Sequence, residues 1–433
     1  MKLRNIFYSL LLVVAVLASG VMNAQVKRSQ AFKDQYKLKE VVILSRHSIR
    51  SPLSTNGSTL SKMSTHQWTN WTSAPSELTL RGGVLETMMG QYFRKWVISE
   101  GLFPENYVPT SDEVNIYANS MQRTIATAEY FSSAFMPMAG LRVNHRFSPS
   151  KMDPVFFPRL TKVTDSFKKE AMEQINAMGG KKGIVGINEG LKPSYDIIAK
   201  VLDLKDSPAC KEGIACAFND YNTQILLEVG EEPRMKGSLK LANSASDAFI
   251  LQYYEEPDAL KAAFGKKLTI KDWENIAKVK DVYGDVLFTA PVVAVNVAHP
   301  LLVYMNDELN AKARKFTFLC GHDSNIASVD AALGVEEYTL PNTIEKKTPI
   351  GCKLVFEKWA DKSGKEFIGV NLVYQTTDQL RHLNTLTLEN PPMVFPLKLK
   401  GLQANADGLY KAEDVNCLLY TSDAADDLLC VDL

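Results

Sequence analysis

The sequence predicts an α/β protein whose sheet domain is interrupted by a mainly helical insertion. Two observations carry this. Three apolar runs, Val41-Val42-Ile43-Leu44, Val114-Asn115-Ile116-Tyr117-Ala118 and Lys315-Phe316-Thr317-Phe318-Leu319-Cys320, each end in charged or titratable residues. Such runs read as buried strands, and ligands of open α/β sheets bind beyond the carboxyl ends of the strands. Between the second and third run, roughly Ser150 to Asp285, helical periodicity and Lys/Glu pairs replace β runs. The expected organisation is a leader at 1–24, a first α/β part at 25–150, a helical cap at 151–285, a second α/β part at 286–416, and a tail at 417–433.

The leader has the order of a secretory signal peptide. Met1-Lys2-Leu3-Arg4 is followed by an apolar run from Ile6 to about Ala18, then by small residues up to Ala24. The run is shorter than the ~20 residues a membrane span needs. Cleavage is expected after Ala24, and no Cys stands at the junction to take a lipid. Nothing later is long enough to span a bilayer. Export permits disulfides. Cys210 and Cys216 flank a polar loop with Gly213 and are expected to bridge locally, whereas Cys320 reads as a small buried hydrophobe. The six Cys do not have the spacing of a metal site.

The first strand ends in Ser45-Arg46-His47-Ser48-Ile49-Arg50-Ser51-Pro52. Two guanidiniums there form a fork-shaped anion site suited to phosphate, and a neutral His between them is a nucleophile facing phosphorus. Formal net charge is zero over 433 residues, so nothing points to nucleic acid or an anionic membrane. The phosphate site is therefore a local concentration of Arg. A long Ser-, Thr-, Asn- and Trp-rich loop from Ser54 to Ser76 leaves this site and is expected to supply substrate contacts.

Leu85, Met88, Met89, Tyr92, Phe93, Trp96 and Val97 recur at helical spacing, with Thr79 as N-cap and Gly101 as stop. This stripe is core. The second strand is followed by Asn119-Ser120-Met121-Gln122-Arg123-Thr124, which opens a helix through Phe135. The third is followed by Gly321-His322-Asp323-Ser324-Asn325, which opens a helix closed by Gly334. Lys353 to Trp359 and Phe367 to Gln375 alternate like strands across Asp361-Lys362-Ser363-Gly364, an antiparallel hairpin.

Arg46-His47-Ser48-Ile49-Arg50-Ser51-Pro52 resembles the RHGxRxP signature of the histidine acid phosphatases, and Gly321-His322-Asp323-Ser324-Asn325 resembles their HD motif. Asn56-Gly57-Ser58, Arg81-Gly82-Gly83-Val84-Leu85-Glu86, Tyr117-Ala118-Asn119-Ser120, Lys205-Asp206-Ser207-Pro208-Ala209-Cys210-Lys211-Glu212 and Thr348-Pro349-Ile350-Gly351 are similar to one branch, the bacterial periplasmic glucose-1-phosphatases. The likeness runs from about Tyr36 to Gly408. Two features depart from it. Ser48 stands where the family usually has Gly, and the tail from about Cys417 does not look like the expected C-terminal helix.

The resemblance implies a phosphoglycerate-mutase-like three-layer α/β domain with a helical cap, and a periplasmic phosphate monoester hydrolase that needs no metal or cofactor. It implies a nucleophilic His47, an Asp323 that protonates the leaving oxygen, and Arg46, Arg50, Arg123 and His322 as holders of the phosphoryl oxygens. His66, His145, His299 and His382 are read as structural or surface residues. Three other readings compete. A non-catalytic phosphosugar-binding protein would not place Asp323 beside a bound anion. A mutase of the superfamily would work in the cytosol. A phytase would want many cations at the mouth, whereas Leu53-Ser54-Thr55-Asn56-Gly57-Ser58 is uncharged and Glu228-Val229-Gly230-Glu231-Glu232-Pro233 is acidic. Glu232, with Glu231 beside it, is expected at the mouth of the cage, disfavouring polyanions.

Overall fold

In the computed structural model, residues 28–53, 58–219 and 222–421 are described. The expected signal peptide, residues 54–57 of the loop after Leu53, and the tail beyond 421 lie outside them. The strands are β1 (Tyr36–Arg46), β2 (Val114–Ala118), β3 (Gln224–Leu226), β4 (Arg234–Lys236), β5 (Phe316–Gly321), β6 (Lys353–Asp361), β7 (Glu366–Tyr374), β8 (Met393–Pro396) and β9 (Tyr410–Lys411). Helices of ten or more residues are α1 (Leu80–Ser99), α2 (Gln122–Phe135), α3 (Asp165–Ala177), α4 (Lys192–Leu202), α5 (Ser238–Glu255), α6 (Ile270–Phe288), α7 (Pro291–Leu309), α8 (Asp323–Ala332) and α9 (Ala412–Thr421).

Seven strands form one mixed sheet in the order β2-β5-β1-β6-β7-β8, with β9 also on β7; β3 and β4 form a separate ribbon. β1 runs parallel to β5 and antiparallel to β6. Its central residues are buried on both faces: Val41 and Ile43 join the core under α1 and α2, and Val42 and Leu44 join the core under α7 and α8. That is the period-2 alternation of a strand sandwiched between helical layers. On the first face Phe131 stacks on Phe318 at 4.0 Å between ring centroids, and Phe135 on Phe316 at 4.1 Å. The expected three-layer α/β class holds, and a third apolar core joins α3 to α6 of the insertion.

Thr79 caps α1 by accepting from Gly82 N, and Gly101 follows the helix at φ +74°. A residue in that left-handed region stops the helix where Gly is tolerated best. The last helix runs through Cys417, with Leu419 buried. The tail expected from about Cys417 therefore begins inside a helix that packs on the fold, which periodicity over so short a stretch did not reveal. Cys210 and Cys216 are bridged, as expected. The bridge closes so short a loop that it contributes at most ~2–3 kcal/mol. Mild reduction is expected to leave turnover within about twofold, with peptide mapping under non-reducing conditions showing the linked pair beforehand. Two free thiols in exported protein would contradict this. Among the described residues, no single helix is long and apolar enough to cross a membrane.

Candidate active site

The sheet register brings the three strand ends to one edge. Ala118 of β2 and Ser45 of β1 both lie opposite Cys320 of β5, and Arg46 lies opposite Gly321. Whatever follows these positions emerges side by side, about 4.8 Å from strand to strand. Arg46 and His47 leave β1, Asn119 leaves β2 ahead of Arg123 in the first turn of α2, and His322 and Asp323 leave β5 for α8. The sequence predicted this convergence of Arg46, His47, Arg50, Arg123, His322 and Asp323, and the structure brings all six together.

The backbone after β1 is held on both sides. His47 N donates to Gly321 O at 3.0 Å, Thr79 N to Ile49 O at 2.9 Å and Ser51 N to Glu77 O at 3.0 Å. Gly82 allows this approach, because a Cβ there would sit 2.4 Å from Ile49 O.

His47 is buried, and its Nδ1 lies 2.8 Å from Ser48 O. A carbonyl only accepts, so Nδ1 carries the proton and Nε2 keeps its lone pair while the ring is neutral. Neutrality is favoured. Burial first, then Arg123, His322, Arg50 and Arg46, hold the imidazole well below its ordinary range. The His322 ring centroid is 5.4 Å away.

His322 is oriented by Asn119. The Asn119 amide is fixed by Asp153 N, which donates to its Oδ1 at 2.8 Å, so its Nδ2 donates to His322 Nε2 at 2.7 Å. Nδ1–H of His322 then faces inward, 3.4 Å from an Arg123 nitrogen. Two donors pointed at one place leave room for an acceptor with surplus lone pairs, such as a phosphoryl oxygen. Burial, with Arg50 adding to it, lowers Arg123 to about 10, which leaves it cationic at any acid pH. Burial and then Arg123 keep His322 neutral.

Arg46 is 1% exposed and locked before any ligand arrives. Its Nη1 donates to Glu345 Oε1 at 2.7 Å and to Thr348 O at 2.6 Å, and Nη2 lies 3.7 Å from Asp323 Oδ2. Asp323 accepts from Lys280 Nζ at 2.6 Å and from Ser324 N at 3.0 Å, and 36% of its side chain remains accessible. Burial pushes its carboxyl up, but Lys280 and Arg46 outweigh that and hold it well below the usual range. Arg50 donates to Asp247 Oδ2 of α5 at 3.0 Å.

His47, Arg50, Arg123, His322 and Asp323 floor a cleft of about 440 Å³ between the sheet edge and the insertion. Glu232, at the start of the ribbon's second arm, lines it; Glu231 is exposed and 3.9 Å from Arg234. The ribbon tip is tied down by Gly230 N to Leu160 O at 2.7 Å and Leu160 N to Glu231 O at 2.9 Å. Among the described lining residues, Arg50, Arg123, Arg234, Lys240, Lys280 and Lys347 face Glu232, Asp247, Asp281, Asp285 and Asp323. The mouth is therefore mixed in charge, not simply acidic. The loop after Pro52 differs from expectation too. Its described part reaches the cleft at Leu53 alone, and residues 58–76 brace the insertion instead. Trp68 packs on Phe249 and Phe264, and Thr69 N donates to Gln252 Oε1 at 2.8 Å.

His66, His145, His299 and His382 do not line the cleft. His66 lies 2.6 Å from Asp203, His145 2.7 Å from Phe147 O and His382 2.8 Å from Asp378. Among the described residues no group of three or more His, Cys, Asp and Glu side chains is placed to hold a metal ion. Sequence reasoning missed Asn119, Asp247, Lys280 and Glu345 as working residues. Only Asn119 carried a signal, its position directly after a buried strand.

A family profile described as the histidine phosphatase superfamily (branch 2) matches residues 37–375. A glucose-1-phosphatase of Salmonella typhimurium is 38% identical over 416 residues, covering 95% of this chain and 98% of its own. A glucose-1-phosphatase of Providencia rettgeri is 38% identical over 411 residues, 93% and 96% of the two chains. Among solved structures, a Hafnia alvei phytase in complex with tartrate superposes with a TM-score of 0.82 at 28% identity, covering 90% of this chain and 98% of its own.

Proposed function

The chain belongs to the histidine phosphatase superfamily (branch 2), and on that premise we propose that it is an exported acid phosphatase. Its substrates are glucose-1-phosphate or similar sugar phosphates, hydrolysed through a phosphohistidine. The observation that carries this reading is the neutral His47 with Nδ1–H tied to Ser48 O and a free lone pair on Nε2, inside a cage of Arg46, Arg50, Arg123 and His322. Nε2 attacks phosphorus in line, the P–O bond to the sugar breaks, and Asp323 passes a proton to the departing oxygen. Water then attacks phosphorus and the P–Nε2 bond breaks while Asp323 takes the water's proton, releasing phosphate and restoring His47. The three guanidiniums and His322 Nδ1–H offset charge on the phosphoryl oxygens throughout.

Asp323 is an anion in the empty site, so its proton has to arrive with substrate. A phosphate monoester has a second pKa of about 6 and enters as a monoanion in acid. Its negative charge also opposes the cations that keep Asp323 ionised. An acidic optimum follows. The leader-like segment at 1–24 supports the periplasm as the compartment.

The runner-up is a phytase, favoured by Arg234, Lys240 and Lys347 in the cleft and by the phytase superposition. The test is turnover of glucose-1-phosphate, phytate and p-nitrophenyl phosphate on one purified sample. We expect the first and third to be hydrolysed and phytate to be poor. A higher kcat/KM for phytate would select the runner-up, and tight phosphate binding without turnover would select a binding protein. Glu232→Gln sharpens the distinction. A carboxylate a few Å from a second phosphate costs about 1–4 kcal/mol, so the phytate to glucose-1-phosphate ratio of kcat/KM should rise about fivefold or more at low salt. Burial, and Asp323 beside it, raise the Glu232 carboxyl above its ordinary range. It is thus partly neutral in acid, and the effect should grow as pH rises. An unchanged ratio would leave Glu232 a bystander.

A further inference from the structure

We propose that Lys280 is a positioning residue for Asp323: from α6 of the insertion, its ammonium holds the carboxylate in one place and in one charge state until substrate enters. The inference rests on the phosphatase reading above. Lys280 is 8% exposed, and its Nζ lies 2.6 Å from Asp323 Oδ2 and 3.8 Å from Glu345 Oε1. Glu345 is itself fixed, since Ile350 N donates to its Oε2 at 3.0 Å and Arg46 to its Oε1 at 2.7 Å. Arg46, Glu345, Lys280 and Asp323 therefore close a ring of alternating charge, with Arg46 3.7 Å from Asp323. In that ring Asp323 is the member most open to the cleft, with 36% of its side chain accessible against 9% for Lys280 and none for Glu345.

Other groups face the same carboxyl. His47 and Arg46 approach from the end of β1, and Arg123 from α2. Tyr283 of α6 and Glu232 of the ribbon approach from the insertion, and His322 from the preceding position. Asp281 is the remaining charged neighbour of Lys280. Of the cations, Lys280 alone is at hydrogen-bond distance from Asp323. Arg46 is anchored through Nη1 to Glu345 and Thr348, which holds its Nη2 3.7 Å from Asp323, beyond hydrogen-bond distance. The carboxylate is thereby pinned at the lip of the cage by a residue that no strand end supplies.

The test uses the full chain with Lys280→Met, Lys280→Gln and Lys280→Arg. The Asp323 carboxyl is followed by carbon NMR titration of the empty enzyme and identified by its loss in Asp323→Asn. Removing a cation destabilises the carboxylate, so the neutral variants should raise its pKa by about one to three pH units. Lys280→Arg, which keeps the charge, should restore the original titration. The falling limb of kcat/KM for a sugar phosphate should stay near the substrate's own second ionisation, about pH 6, in wild type and variants alike, because the proton enters with the substrate. Two neutral variants guard against one failing to fold. An unmoved carboxyl titration in either folded neutral variant, or an equal shift in Lys280→Arg, overturns the proposal. A carboxyl titration that moves in protein that turns over no sugar phosphate upholds Lys280 as the partner of Asp323 and overturns the phosphatase reading instead.

Discussion

His47→Ala is expected to lower kcat by about 10⁴-fold or more on every phosphomonoester, the scale on which loss of a nucleophile registers. The fold should survive. His47 contributes one ring to the cage, and the neighbouring backbone is held by bonds that do not involve its side chain. Phosphate should still bind, because Arg46, Arg50, Arg123 and His322 remain. The decisive measurement is rapid quenching with labelled substrate. Wild-type protein should yield an acid-labile phosphoryl group, and the variant none. Labile phosphate recovered on protein lacking His47 would move the nucleophile elsewhere, and His322 would be the first place to look.

Asp323→Asn should separate the two halves of the reaction. General acid catalysis contributes about 10²- to 10⁴-fold where the leaving group is a poor one. A sugar alkoxide is poor and p-nitrophenolate is good. We therefore expect kcat for glucose-1-phosphate to fall by about that factor, with a much smaller loss in the phosphorylation step for p-nitrophenyl phosphate. Dephosphorylation should slow for both, since water loses its base, so the phosphoenzyme should accumulate. Equal losses for the two esters, without accumulation, would give the proton transfer to another group.

The strand ends were legible because they combine two signals that seldom coincide. A buried run such as Val41 to Leu44 predicts its own termination, and charged residues right after it have to face whatever lies beyond the edge. That argument placed Arg46, His47, His322 and Asp323, and with a helix start added it placed Arg123. It had no purchase on Lys280 or Asp247. Each sits on a long helix whose polar positions recur every turn, and nothing local marks the one that points at the cleft. Glu345 was hidden differently. It lies in a stretch without regular structure, and its burial depends on Arg46, 299 residues away in sequence. The mixed charge of the mouth escaped for the same reason, since Lys240 and Lys347 reach it from separate segments. The sheet was predicted by its parallel half. That β1 also pairs antiparallel with β6 follows from the Asp361 turn only once the register is known.

The insertion supplies two of the carboxylate and ammonium partners of the cage, Asp247 to Arg50 and Lys280 to Asp323. The consequence is one of inheritance. An insertion that merely covered an active site could be lengthened, shortened or exchanged between relatives, with effects confined to substrate choice. Here an exchange that displaced either residue would also reset the chemistry below. Swapped lids should therefore work only when those two positions travel with them, and lineages that diversify their substrates would have to do so around this pair.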